Sequence, residues 1–249
     1  MEVKSNRSYV FSDSLSRIQA FLDGSGVYPE TNDIQKRSNL TYENGYYVDC
    51  YALFVDIRDS SKLPQIHQKR VLAKLYRSYI SELTAIMQSY PNCKEINIVG
   101  DCVNGIFSCY SKDDVLQPFG AAYTINGIVQ ILNLKANDKG YNSIRIGIGI
   151  AKGKALMVQA GYKGSGINDV IWMGDVVNCA SHLCAKANKS FDDIMNISQE
   201  VYNDLEGKLG YQNKPYQGMF KKSYGNDYYT GNVILHTMDE WIKEKTKSW

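Results

Sequence analysis

The chain has 249 residues, 44% of them hydrophobic, and a formal net charge of +2. That is enough apolar mass for one large domain and too little charge to mark a nucleic-acid binder. No apolar run is long enough to cross a bilayer, the N-terminal MEVKSNRSYV has no signal-peptide core, and the six cysteines lack zinc-type spacing, so they read as reduced thiols of a cytoplasmic protein.

In chain order, Ser12 to Leu22 reads as a short amphipathic helix with Leu15, Ile18, Phe21 and Leu22 on one side. A polar connection follows over Asp23 to Ser38. Asn44-Gly45 signals a tight turn, which pairs Leu40–Tyr42 with a strand beginning near Tyr46. The run YALFVD, Tyr51 to Asp56, is nearly continuous in apolar residues, as expected of a strand covered on both faces. The stretch DSS opens a long helix in which Val71, Leu72, Leu75, Tyr79, Leu83, Ile86 and Met87 form one stripe, and Pro91-Asn92 ends it. Glu95 to Phe107 reads as a hairpin with Gly100-Asp101 at its tip.

A second long helix is expected over Asp113–Ala136. Ser143 to Ile150 alternates isoleucine with glycine, a strand with one closely approached face, and Ala155–Ala160 is a further strand. Asp169–Met173 leads through Gly174-Asp175 into a helix over Val176–Lys186. Ser198 caps a shorter helix. Tyr228–Leu235 is the last strand and Met238–Lys245 a terminal helix. This alternation predicts an α+β fold, a mostly antiparallel sheet with helices covering one side. The expected division is an extension over 1–45, one catalytic domain over 46–235 and a terminal helix over 236–249.

Chemistry concentrates in three stretches. FVDIRDSS places a carboxylate, Asp56, where a strand meets a helix start, and a helix start offers unpaired N–H groups to an anion. NIVGDCVNGIF places a second carboxylate, Asp101, at a hairpin tip. Two converging carboxylates can hold divalent cations whose other ligands are phosphate oxygens. WMGDVVNCASHL opens a helix bearing Asn178 and His182 on one side, with Lys186 a further turn along.

In this order, and separated by these helices, the three stretches resemble the class III nucleotidyl cyclase catalytic domain. The resemblance runs from about Tyr46 to Val233, and LTYENGYYVDCYALFVDIRDSSKL is closer still to the bacterial pyrimidine nucleotide cyclases of Pycsar anti-phage systems. It implies a ferredoxin-like core and a reaction forming a 3′,5′-cyclic nucleotide and pyrophosphate from an NTP. It implies two Mg²⁺ or Mn²⁺ ions per site, held by Asp56, Asp101 and the carbonyl of Ile57, with Ser60 and Ser61 wrapping the β- and γ-phosphates. Asn178 is implied to position the ribose. Where the family has a transition-state arginine this chain has His182, which lacks the fixed guanidinium fork. Lys221 or Lys222 stands for the family's phosphate lysine, although its Lys-Gly turn is missing.

By the same resemblance the base is read at two positions, Asn97 and Ile171. The family's adenylyl enzymes carry lysine and aspartate there, and guanylyl enzymes carry glutamate and, in many, cysteine. Neither purine code is present. Opposite Ile171 an adenine amino group would go unpaired at about 1–3 kcal/mol. Asn97 offers a donor and an acceptor and suits uracil or cytosine alike. Tyr51 is the candidate for narrowing the pocket to one ring. One copy of each motif implies a homodimer with two interfacial sites. The product implies a separate cyclic-nucleotide effector, with no nucleic-acid or membrane partner. The competing readings are a degenerate cyclase domain that binds nucleotide without turnover, and a purine cyclase with an atypical pocket.

Overall fold

The structure is a computed structural model that describes residues 8–247; most of the N-terminal MEVKSNRSYV considered above lies outside the described residues. The chain begins with α1 (Phe11–Leu22), whose apolar residues Leu15, Ile18 and Leu22 remain exposed. Strand β1 (Glu30–Thr31) lies parallel to β2 (Gly45–Ile57) at Tyr47 and Val48. The pairing expected from Leu40–Tyr42 is therefore not formed. Asn44 closes its own loop instead, accepting from the Thr41 N–H and donating to the Asn39 carbonyl, so residues 40–42 turn rather than extend.

After β2 come a 3₁₀ turn (Ser60–Lys62), α2 (Leu63–Ile66) and α3 (Lys69–Gln88). The hairpin β3 (Cys93–Val99) and β4 (Cys102–Ser108) leads to α4 (Leu116–Asn137), which is preceded by a capping box on Ser111 and Asp114. The sheet order β3-β4-β2 continues into β5 (Ile146–Tyr162), with every contact antiparallel. With α3 and α4 this is the expected ferredoxin-like βαββαβ core. The two strands expected over 143–160 are one 17-residue strand, because β2 is long enough to pair with it from Gly45 to Ile57.

The remaining elements are β6 (Ile167–Met173), α5 (Asp175–Lys186), β7 (Met195–Ser198), α6 (Gln199–Asp204), β8 (Phe220–Lys222), β9 (Tyr228–Gly231) and α7 (His236–Lys247). Ser198 caps α6 as expected, its hydroxyl accepting from the Val201 N–H at 3.4 Å. Strand β7 has too few residues for its alternation to show in sequence, and it pairs in parallel with β5.

Alternation along β2 sorts the two faces of the sheet. Tyr51, Leu53, Val55 and Ile57 pack with Tyr79, Leu83 and Met87 of α3 and Phe119 and Ile125 of α4. Cys50 and Ala52 face the other way, against Val176, Ala180 and Leu183 of α5. The expectation of helices on one side only is corrected by α5, which covers the second face. Its approach is close: a Cβ on Gly149 would lie 2.2 Å from the Ala180 carbonyl oxygen and 2.3 Å from the Cys184 nitrogen. Only glycine fits there, which accounts for the Ile-Gly alternation of β5. No helix among the described residues is long and apolar enough to cross a membrane.

Candidate active site

Asp56 stands near the C-terminal end of β2, on the α5 face of the sheet. Asp101 stands on the adjoining two-residue hairpin, where Gly100 takes the positive φ (65°) that such a turn demands at its first position. The two carboxylates converge. Burial, and then the charge of Asp101, push the Asp56 carboxyl above its ordinary range, and Arg58 pulls against them. The adjacent Cys102 thiol is pushed up to about 11 by burial and then by Asp56 and Asp101. Asp101 Oδ2 is buried and has no hydrogen-bond partner.

A buried, unpartnered carboxylate oxygen beside a second carboxylate is costly unless a cation joins it, so these residues fit a divalent metal ion. Among the described residues no cluster of three or more His, Cys, Asp or Glu side chains could hold a metal. The pair therefore supplies only part of a coordination sphere, as suits a cation shared with substrate oxygens.

Arg58 went unrecognised in the sequence. Its side chain is 3% exposed, with Nη2 2.9 Å from Asp56 Oδ2 and Nη1 3.0 Å from the Ala185 carbonyl oxygen. One Asp56 oxygen is thus fixed by protein. The DIRD motif contained the arginine, but nothing local showed that it points inward. The Arg58 N–H donates to the Arg145 carbonyl at 2.7 Å, and Arg145 donates to the Asn188 carbonyl at 2.5 Å. Asp59 follows in the left-handed region (φ 56°), which Asp tolerates better than most residues.

Ser60 and Ser61 lie in the 3₁₀ turn after it. Neither caps a helix: the turn and α2 are preceded by Asp59 and Lys62, without a side-chain capping bond. On the sheet face that carries Asp56, Asn97 of β3 stands opposite Asn104 of β4, with Asn97 Nδ2 3.4 Å from Asn104 Oδ1. Asn104, 8% exposed, was also missed, since an asparagine in a strand gives no sequence signal of its own. Ile171 is exposed on β6.

Asn178, His182 and Lys186 follow one another at four-residue steps along the exposed side of α5, opposite its buried Val176, Ala180 and Leu183. Lys186 Nζ reaches Asn226 Oδ1 at 3.4 Å and lies over the Tyr228 ring. Tyr51 does not narrow a base pocket: it is fully buried on the α3/α4 face, and its hydroxyl donates to Asp204 at 2.8 Å. The reason is parity, since Tyr51 and Asp56 are five residues apart on one strand and point to opposite faces. Lys221 and Lys222 lie on β8 at the far edge of the sheet, paired with Asp193 at 3.2 Å and Asp227 at 3.6 Å. Four strand spacings, about 19 Å, separate that edge from β2, so neither lysine joins Asp56 within one protomer.

The profile of the adenylate and guanylate cyclase catalytic domain matches residues 43–233. A uridylate cyclase of Gulbenkiania mobilis is 38% identical over 253 residues, spanning 96% of this chain and 98% of that protein. A uridylate cyclase of Treponema porcinum is 32% identical, spanning 95% of this chain and 82% of that one. Among solved structures, the adenylyl cyclase CyaB from P. aeruginosa shares the fold, with a TM-score of 0.62 over 77% of this chain and 97% of that one at 20% identity. With Asp56 and Asp101 converging where two strands of a ferredoxin-like sheet end, and with a match over this length, the chain belongs to the adenylate and guanylate cyclase catalytic domain family.

Proposed function

We propose that the protein is a pyrimidine nucleotide cyclase that converts UTP to 3′,5′-cyclic UMP and pyrophosphate. The observation that carries this reading is the Asp56/Asp101 pair, with Asp101 Oδ2 unpartnered; Asn97 and Ile171, at the two positions the resemblance gives to the base, carry neither purine code. The relatives named uridylate cyclase favour UTP over CTP.

In the reaction the ribose 3′-oxygen bonds to the α-phosphorus, its proton departs, and the bond to the leaving pyrophosphate breaks. Asp56, Asp101 and the Ile57 carbonyl hold divalent cation, Mg²⁺ or Mn²⁺. When bound, that cation supplies charge neutralisation at the α-phosphate and acidifies the 3′-hydroxyl. Arg58 orients Asp56. Ser60 and Ser61 contact the β- and γ-phosphates. Asn178 orients the ribose, and His182 donates a hydrogen bond to the phosphoryl oxygens.

Asn178 and His182 face outward, so they serve an Asp56/Asp101 pair on a second copy, and the working unit is a homodimer with two equivalent sites. Lys221 or Lys222 reaches phosphate only across that interface. The cyclic nucleotide is then an alarm signal in anti-phage defence, made in the cytoplasm and read by a separate effector.

The test is to incubate the full-length protein with Mn²⁺ or Mg²⁺ and each NTP separately, and to identify products by mass. Cyclic UMP as the main product is expected. Turnover of ATP or GTP alone, or nucleotide binding without any product, would overturn the reading.

A further inference from the structure

Residues 34–40 cross the α5 face of the sheet, where Ile34 and Leu40 are buried in one cluster with Val170 and Trp172 of β6. Between these two anchors, Arg37 reaches carboxylates on different strands. Its Nη1 lies 2.7 Å from Asp169 Oδ1 on β6, and its Nη2 is bonded to Glu95 Oε1 on β3. Glu95 is 8% exposed, so its charge needs that cation.

Alternation places Glu95 on the same face of the sheet as Asn97, and Asp169 on the same face as Ile171. Each acid is two residues, about 7 Å, behind one of the two base-site positions. One guanidinium therefore ties together the two strands that carry both positions, immediately behind them.

A guanidinium has five N–H donors and no acceptor. The two acids engage one donor each on Nη1 and Nη2, and the Arg37 side chain is still 51% exposed. We infer that Arg37 is a specificity-determining residue of the base site, closing its end behind Asn97 and Ile171 and offering its remaining N–H donors to the 4-position of a pyrimidine. Uracil presents a carbonyl acceptor there, whereas cytosine presents an amino donor, so an all-donor wall accepts the first and opposes the second. Asn97 can flip its amide and does not discriminate; Arg37, pinned by Glu95 and Asp169, cannot change its polarity. The same wall stands where the second ring of a purine would extend.

This inference rests on the pyrimidine cyclase reading and deepens it. Its test measures kcat/KM for UTP and CTP with full-length wild type, Arg37→Gln and Arg37→Lys, alongside melting temperatures. The UTP:CTP ratio is expected to fall at least tenfold in both variants. Glutamine removes the charged fork, and a single ammonium cannot span two acids and a base. Should the glutamine variant not fold, the lysine variant, which keeps a cation beside Glu95, carries the test. An unchanged ratio, or an equal loss on both substrates, overturns the inference. Wild type that makes no cyclic product from either substrate strikes the proposed function instead, so the two failures are distinguishable.

Discussion

Arg58 grips Asp56 from inside the protein: its guanidinium is 2.9 Å from one carboxylate oxygen and 3.0 Å from the last turn of α5 at the Ala185 carbonyl. The carboxylate and the helix of the third motif are thereby held in one rigid arrangement, although the two stretches are far apart in sequence. Breaking a buried pair by removing one partner costs about 3–5 kcal/mol. Asp56 is one-third exposed and recovers part of that from water. Arg58→Ala is expected to lower unfolding free energy by about 2–3 kcal/mol and to reduce kcat at least tenfold. Urea unfolding and a cyclase assay measure the two effects separately.

Asp101→Asn relieves repulsion in the metal-free protein. The folded Asp56 carboxyl is raised above its unfolded value, first by burial and then by Asp101. Its contribution to stability is therefore fully present below the unfolded pKa and is lost as pH rises through the folded one. In chelator, wild type should lose stability relative to Asp101→Asn as pH climbs from the acid range to neutrality. Mn²⁺ should reverse the order. At a hundredfold excess over its Kd it stabilises wild type by about 2.7 kcal/mol, a melting shift on the order of 5 °C or more, and the variant hardly at all. Thermal melts across pH with and without metal decide this.

Asn178 and His182 point away from their own Asp56 and Asp101. Asp56→Ala and Asn178→Ala proteins, each inactive alone, should regain up to about a quarter of wild-type activity when mixed, since a head-to-tail heterodimer holds one intact site. Native mass spectrometry verifies the heterodimer. A verified heterodimer without activity would contradict shared sites.

Tyr51→Phe should leave the relative rates on UTP, CTP, ATP and GTP unchanged, because the hydroxyl lies on the face of the sheet away from Asp56 and Asn97. It should cost about 1–2 kcal/mol of stability through the lost hydrogen bond to buried Asp204, which keeps Lys152 at 2.6 Å. Equilibrium unfolding and a four-NTP assay measure the two sides.

Alternation and turn chemistry in the sequence determined the core strand of the first motif, the acidic hairpin, the two long helices that pack on it and the helix of the third motif. Each depends on local signals: a continuous apolar run, a Gly-Asp tip, a three-and-four stripe. The order of the motifs carried the family, and Asp56 with Asp101 carried the converging carboxylate pair. Four things were decided only by tertiary structure. Parity along β2 turned Tyr51 into the wrong core. The sheet order placed Lys221 and Lys222 at the far edge. The burial of Arg58 depends on how closely α5 crosses the glycines of β5. The reach of Arg37 to Glu95 and Asp169 joins residues 58 and 132 positions away. Local sequence encodes which face a residue takes only once its neighbours in space are known, because burial and charge pairing are properties of the folded sheet rather than of any single strand.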